Sequence, residues 1–173
     1  CLYYGQELGA TGERLDGMDD GNDIPVREAF RWSRNWKQKG MAVWYQGNGD
    51  WWKYASVRRN DGRTLEEQKD ASGSIYRQYT TLLGVRRNST ALQRGGTRVL
   101  NVADDEVLAM IREHEGESIL TVFNFAPRAK SLVLSEPVRS TAPTLLFGGA
   151  YRNAENKHAF DLAPYGCAIM RLN

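Results

Sequence analysis

The chain has 173 residues, 41% of them hydrophobic and 25% charged, which suits one compact domain or a small domain joined to part of another. Its 23 Lys and Arg against 21 Asp and Glu leave a formal net charge of +2, too weak a balance for a nucleic-acid or anionic-membrane binder. No apolar run approaches the roughly 20 residues needed to span a bilayer.

The chain opens on Cys1-Leu2-Tyr3-Tyr4, a short apolar and aromatic run broken by Gly5-Gln6-Glu7-Leu8-Gly9. That pattern predicts a buried strand delivering its carboxyl end into a loop. The stretch 10–63 follows no sustained period and is rich in Gly, Asp and Asn, yet it holds all five tryptophans: Trp32, Trp36, Trp44, Trp51 and Trp52. A disordered linker is poor in aromatics, so an ordered functional loop is expected.

Helical chemistry begins at Thr64-Leu65-Glu66-Glu67, which fits a capping box. Ser72 or Ser74 then caps a second helix whose Ile75, Tyr79, Leu82 and Leu83 share one face. Gly84 within it reads as a place of close helix approach. Beyond Gly95-Gly96 the period becomes that of strands: 107–111, 119–125, 131–134, 144–147 and 167–172, separated by turn residues such as Ala126-Pro127 and Gly148-Gly149. Strands without intervening helices imply an antiparallel sandwich. The boundary is therefore expected near Gly96, with residues 1–96 forming one part and 97–173 the other.

Few residues suggest chemistry. Cys1 and Cys167 have no metal-ligand spacing and read as small buried apolar residues. Asp16, Asp19, Asp20 and Asp23 form the densest acidic cluster, but Met18 and Arg27 stand where a calcium loop needs ligands. A solvated loop is the plainer reading, and the sequence calls for no cofactor. His114 and His158 lie in the strand region as surface or packing residues. Glu7 reads as a structural carboxylate at the mouth of the fold, tying the loop to backbone amides.

Several segments in order resemble one family. Tyr3-Tyr4-Gly5-Gln6-Glu7-Leu8-Gly9 is similar to the end of the eighth barrel strand in the α-amylase superfamily of glycoside hydrolases. Val26-Arg27-Glu28-Ala29-Phe30-Arg31-Trp32 resembles that family's Arg-x-Pro-φ-x-Trp segment, with Ala29 where proline is usual. Glu67-Gln68, Ser74-Ile75, Tyr79, Leu82-Leu83 and Arg86 resemble the last barrel helix. Val122-Phe123-Asn124-Phe125 and Leu162-Ala163-Pro164-Tyr165-Gly166 resemble the family's C-terminal domain.

The resemblance implies the end of a TIM (β/α)8 barrel followed by an antiparallel Greek-key β-sandwich, an α/β part plus an all-β part. It implies a retaining mechanism on α-linked glucans, in which two carboxylates about 5 Å apart act as nucleophile and acid. In the family these acids follow the fourth, fifth and seventh strands, so this chain is expected to lack them. It also leaves room for calcium in the parent enzyme. The expected partners are an α-glucan or maltooligosaccharide and the remainder of the barrel. A polymeric substrate would favour secretion or the periplasm, short oligosaccharides the cytoplasm. Arg27 could hold sugar hydroxyls or organise the loop through a salt bridge. Trp44, Trp51 and Trp52, set among glycines and an asparagine, are the indoles expected to meet sugar, with packing as the other use of the cluster. A non-catalytic glucan-binding or scaffold protein of the same fold remains the alternative.

Overall fold

The structure, a computed structural model, describes residues 1–173 except 13, 15, 18–25, 28, 36, 43–60, 135–142, 153–158 and 173, and only the backbone of 150–152. Its contacts divide into two units, Cys1–Thr80 and Thr81–Asn173. Among the described residues no helix is long and apolar enough to cross a membrane.

In the first unit the described residues hold little regular structure: a 3-10 turn at Gln6–Leu8, the short helix α1 (Leu65–Gln68) and the start of α2 (Ile75–Arg87). The strand expected at Cys1–Tyr4 does not form. Leu2, Tyr3 and Tyr4 are about half exposed, and among the described residues all paired strands lie from Gly96 onward. A strand needs a ladder partner for its backbone, and the described residues of this unit supply none. Cys1 is likewise exposed and Cys167 only half-buried, against the expectation that both pack inside.

The helix signals in the sequence have physical counterparts. Thr64 caps α1 in a full capping box, its hydroxyl accepting from the Glu67 amide while the Glu67 carboxylate accepts from the Thr64 amide. The other amides of the first turn are also used. Leu65 N donates to Arg31 O at 2.8 Å, Glu66 N to Trp32 O at 3.1 Å and Gln68 N to Thr64 O at 3.1 Å. Ser74 caps α2, its Oγ accepting from Arg77 N at 3.2 Å. Within α2 no residue is fully buried, and a Cβ added at Gly84 would meet open space, so no close helix approach occurs there.

Among its described residues the second unit carries a short helix α3 (Thr90–Arg94) and eight strands: β1 (Gly96–Val99), β2 (Val107–His114), β3 (Glu117–Asn124), β4 (Lys130–Val133), β5 (Thr144–Gly148), β6 (Ala150–Arg152), β7 (Ala159–Leu162) and β8 (Cys167–Leu172). They form a five-stranded sheet in the order β1-β2-β3-β8-β5 and a three-stranded sheet in the order β4-β7-β6. Every pairing is antiparallel. Registry aligns the core across strands: Ala109 opposes Val122, which opposes Ala168, and Ile111 opposes Leu120, which opposes Met170. These residues cluster with Leu132, Phe160 and Leu162 of the smaller sheet, so the two sheets share one core. Alternation along β2 and β8 follows from that single buried face. On β3 the opposite face also carries a buried residue, Ile119, and α3 packs on β2 and β3.

A few positions enforce these paths. Gly148, at φ +77°, would place a Cβ 1.9 Å from Cys167 O, so only glycine fits where β5 runs beside β8. Asn124, 2% exposed, satisfies its whole amide at the edge of the core. Its Nδ2 donates to Arg128 O and Ala163 O, each at 2.8 Å, and its Oδ1 accepts from Ala126 N at 2.9 Å. This one side chain joins the Val122–Phe125 segment to the turn after β7.

Candidate functional site

The sequence points to the segment 27–35 and the loop after Tyr4. Arg27 is exposed, and among the described residues no ion pair involves it. Glu7 is half-buried in the 3-10 turn. The local backbone tie is made beside it, where Tyr3 N donates to Gln6 Oε1 at 3.0 Å. Trp44, Trp51 and Trp52 lie outside the described residues, as do Asp19, Asp20, Asp23 and His158. The described aromatics of the segment are Phe30 and Trp32, whose ring centroids lie 4.4 Å apart.

What fixes this segment is a set of polar groups, of which the sequence marked Glu66 and Glu67 only as part of a helix start. Arg31 is 9% exposed, and its Nη1 donates to both carboxylate oxygens of Asp61 at 2.7 Å. Burial pushes Asp61 toward its neutral form, but the Arg31 hydrogen bond, the Arg63 amide and both arginine charges outweigh it and hold the pKa below the usual carboxylate value. Glu66 Oε2 accepts from Ser33 Oγ at 2.6 Å and Arg34 N at 3.0 Å. Glu67 Oε1 accepts from Arg34 Nε at 2.8 Å. The pKa of Glu66 is lowered, chiefly by the Ser33 hydroxyl and the Arg34 amide. For Glu67, burial works in the other direction but the Thr64 and Arg34 donors prevail.

Gln68 is the knot of the unit. It is 6% exposed, with Nε2 donating to Leu8 O at 2.7 Å and Gly62 O at 3.1 Å. Its Oε1 accepts from Tyr76 N at 3.1 Å. One amide thus ties the loop after Tyr4, the chain entering α1 and the first turn of α2. Gly9, at φ +66°, comes so close to Ile75 that an added Cβ would lie 2.5 Å from its Cδ1.

None of the three carboxylates that pin this segment is set up as a general acid. A general acid needs a raised pKa, whereas Asp61, Glu66 and Glu67 are held as anions by their donors. A guanidinium at Arg27 and an indole at Trp32 are presented on a backbone pinned at Arg31, Trp32 and Arg34.

In the second unit the polar groups serve structure. Glu117 Oε2 accepts from Thr90 Oγ1 and Ala91 N, each at 2.9 Å, and Arg171 Nη2 lies 3.2 Å from Oε1. Burial opposes the charge, yet these donors, Ser89 and Arg171 lower its pKa to about 2. A surface cavity of about 430 Å³ is lined by Leu83, Arg86, Arg87, Gln93 and Arg94. Two of these residues cap helix ends: Arg86 donates to Leu92 O, and Gln93 Nε2 to Arg87 O at 2.8 Å.

Residues 97–169 match the family described as Maltogenic Amylase, C-terminal domain. Over 99% of its length the chain is 26% identical to an α-amylase of Dictyoglomus thermophilum, of which it covers 31%. The chain corresponds to the C-terminal region of enzymes of the α-amylase family. Over 97% of its length it is 23% identical to an oligo-1,6-glucosidase of Halalkalibacterium halodurans, of which it covers 34%. The chain therefore spans about a third of the length of these two curated relatives. Its fold matches the trehalulose synthase MutB of Pseudomonas mesoacidophila at a TM-score of 0.71, with 18% identity over 99% of this chain and 35% of that one. A MutB variant has been solved with its substrate sucrose. Helices followed by an antiparallel sheet domain are the arrangement expected of this end of an α-amylase-family enzyme.

Proposed function

We propose that the chain is the closing part of an α-glucan-active retaining glycoside hydrolase, of α-amylase or α-glucosidase type, cleaving α-1,4 or α-1,6 glucosidic bonds. Residues 1–96 would complete a TIM barrel, and residues 97–173 would form the Greek-key β-sandwich beside it. The observation that carries this reading is the similarity to α-amylase-family enzymes along 99% of the chain, through both parts and in one order. The half-exposed Leu2, Tyr3 and Tyr4 support it, since barrel neighbours would complete the backbone ladder there and cover the side chains.

In this reading the chain contributes binding and support. Arg27 would hold sugar hydroxyls, and Trp44, Trp51 and Trp52 would meet sugar ring faces. The family resemblance assigns the nucleophile and acid to barrel strands outside these residues, and Asp61, Glu66 and Glu67 are occupied by the donors that pin the 31–34 backbone.

The test is an activity assay with maltotetraose, isomaltose and sucrose. The 173-residue chain is expected to release no reducing sugar, while the polypeptide extended by its upstream barrel does. Release by the pure chain would overturn the assignment of the acids. An extended polypeptide that binds maltotetraose without turning it over would make the protein a glucan-binding scaffold.

A further inference from the structure

We infer that the surface cavity at the ends of α2 and α3 is a phosphate site, an inference independent of the glucan-active reading above. Its volume of about 430 Å³ falls within the roughly 300–1,000 Å³ of small-ligand sites. Leu83, Arg86, Arg87, Gln93 and Arg94 line it, with no Asp or Glu among them. Among the described residues no ion pair involves Arg86, Arg87 or Arg94. A cation in the last turn of a helix is favoured by the macrodipole. Here α2 carries two, Arg86 and Arg87, and α3 a third, Arg94. The dipole accounts for a cation at each end. It does not account for three guanidiniums around one opening with no counter-charge, where they repel one another.

The lining is held in place before any ligand arrives. Arg86 donates to Leu92 O and Gln93 Nε2 to Arg87 O at 2.8 Å, so the two helix ends are tied to each other. Ser89, 1% exposed, caps α3 by accepting from Leu92 N at 3.1 Å, and Glu117 holds Thr90 and Ala91. Such preorganisation leaves more of the contact energy as affinity. The ligand class follows from the lining. A guanidinium offers five N–H donors in a planar fork and no acceptor, a match for phosphate oxygens. Three such charges suit a phosphate monoester, with about two negative charges at neutral pH, better than a single carboxylate. Leu83, 52% exposed, leaves an apolar wall for an organic group beside the phosphate. All the lining comes from the stretch 83–94, so the site needs no wall from elsewhere.

The experiment is a titration of the 15N-labelled protein with glucose 6-phosphate, following the arginine Nε–H resonances at constant ionic strength so that screening stays fixed. Inorganic phosphate and glucose are titrated in parallel. The resonances of Arg87 and Arg94 are assigned by their loss in Arg87→Gln and Arg94→Gln. The expected result is a saturable shift of both with glucose 6-phosphate and none with glucose, with affinity falling about tenfold in each variant. Tighter binding of the sugar phosphate than of inorganic phosphate makes a phosphorylated metabolite the source, and equal binding makes it the free ion. The titration of the unaltered protein needs no variant to fold, and far-UV circular dichroism checks the variants used for affinity. A shift that does not saturate, or that spreads equally to Arg98 and Arg128, overturns the inference. So does unchanged affinity in the folded variants. Repeated on the polypeptide extended by its upstream barrel, the titration shows whether a neighbour fills the cavity, and binding lost there overturns the inference as well. Each of these failures leaves the glucan-active reading intact.

Discussion

The two units hold themselves together in opposite ways. Among the described residues of Cys1–Thr80, Leu8 is the one buried hydrophobic side chain, and it is accompanied inside by Arg31, Thr64 and Gln68. Every other buried apolar residue among those described belongs to Thr81–Asn173, where two sheets close on Phe160, Leu120, Val122 and their neighbours. The difference follows from the backbone. A sheet satisfies its own amides and carbonyls, leaving side chains free to pack. An irregular chain does not, so its buried side chains must be the ones that finish the hydrogen bonding. The first unit should therefore be sensitive to lost polar groups and the second to lost volume.

Three measurements would break or sharpen this contrast. The largest effect is expected from Phe160→Ala. Removing the largest fully buried side chain should cost about 3–5 kcal/mol, read as a lowered urea midpoint for the strand-rich unit. A cost below about 1 kcal/mol would mean that the second unit is not held by its core.

Next comes Gln68→Ala, which leaves Leu8 O, Gly62 O and Tyr76 N without their partner. Each buried group left unsatisfied costs about 1–3 kcal/mol, reduced where water can enter. Hydrogen exchange should quicken at the amides of Tyr76 and of the Gly5–Gly9 turn, with the strands of the second unit unaffected. Gln68→Met separates the causes, because it keeps the volume and loses the bonds. If Met protects as well as Gln, the first unit is held by packing after all.

The smallest effect concerns Glu117, a charged tie inside the packed unit. Its folded pKa of about 2 lies below the 4.5 of a free glutamate. A depressed carboxylate pKa contributes stability that is present above 4.5 and is lost as pH falls from there toward 2. With partial solvent screening the contribution is on the order of 2 kcal/mol. The urea midpoint of the second unit should fall across that window. Glu117→Gln should start lower and show a flatter acid limb. An unchanged limb would mean that the α3 junction is not tied by charge.

How much of this was legible beforehand depends on distance along the chain. The capping box at Thr64 and Glu67 was, because its partners are three residues apart and their geometry is that of any helix start. Strand β8 was legible over its full span, and β2 to β5 to within a few residues, because burial of one face writes itself as alternation. Strands β1, β6 and β7 and the helix α3 were not. Gly96–Val99 is exposed along its length and has no apolar period, and it becomes a strand only because β2 offers it an edge. In the site, Arg27 and the tryptophans could be named from residue type, while Arg31 and Asp61 could not. An arginine and an aspartate 30 residues apart carry no mark that one will bury against the other.

By itself, then, the sequence determined the order of helices before strands, the local caps, the positions of most strands and, through its motifs, the family. The tertiary structure alone decided that Gln68 would bind a carbonyl 60 residues earlier, and that Glu117 would carry the end of α3. It also decided that Cys1–Tyr4 would stand exposed and outside any strand. Caps and alternation are set by neighbours a few bonds away. A polar knot exists only once distant segments have met, because a buried amide takes whichever carbonyl the fold brings within 3 Å.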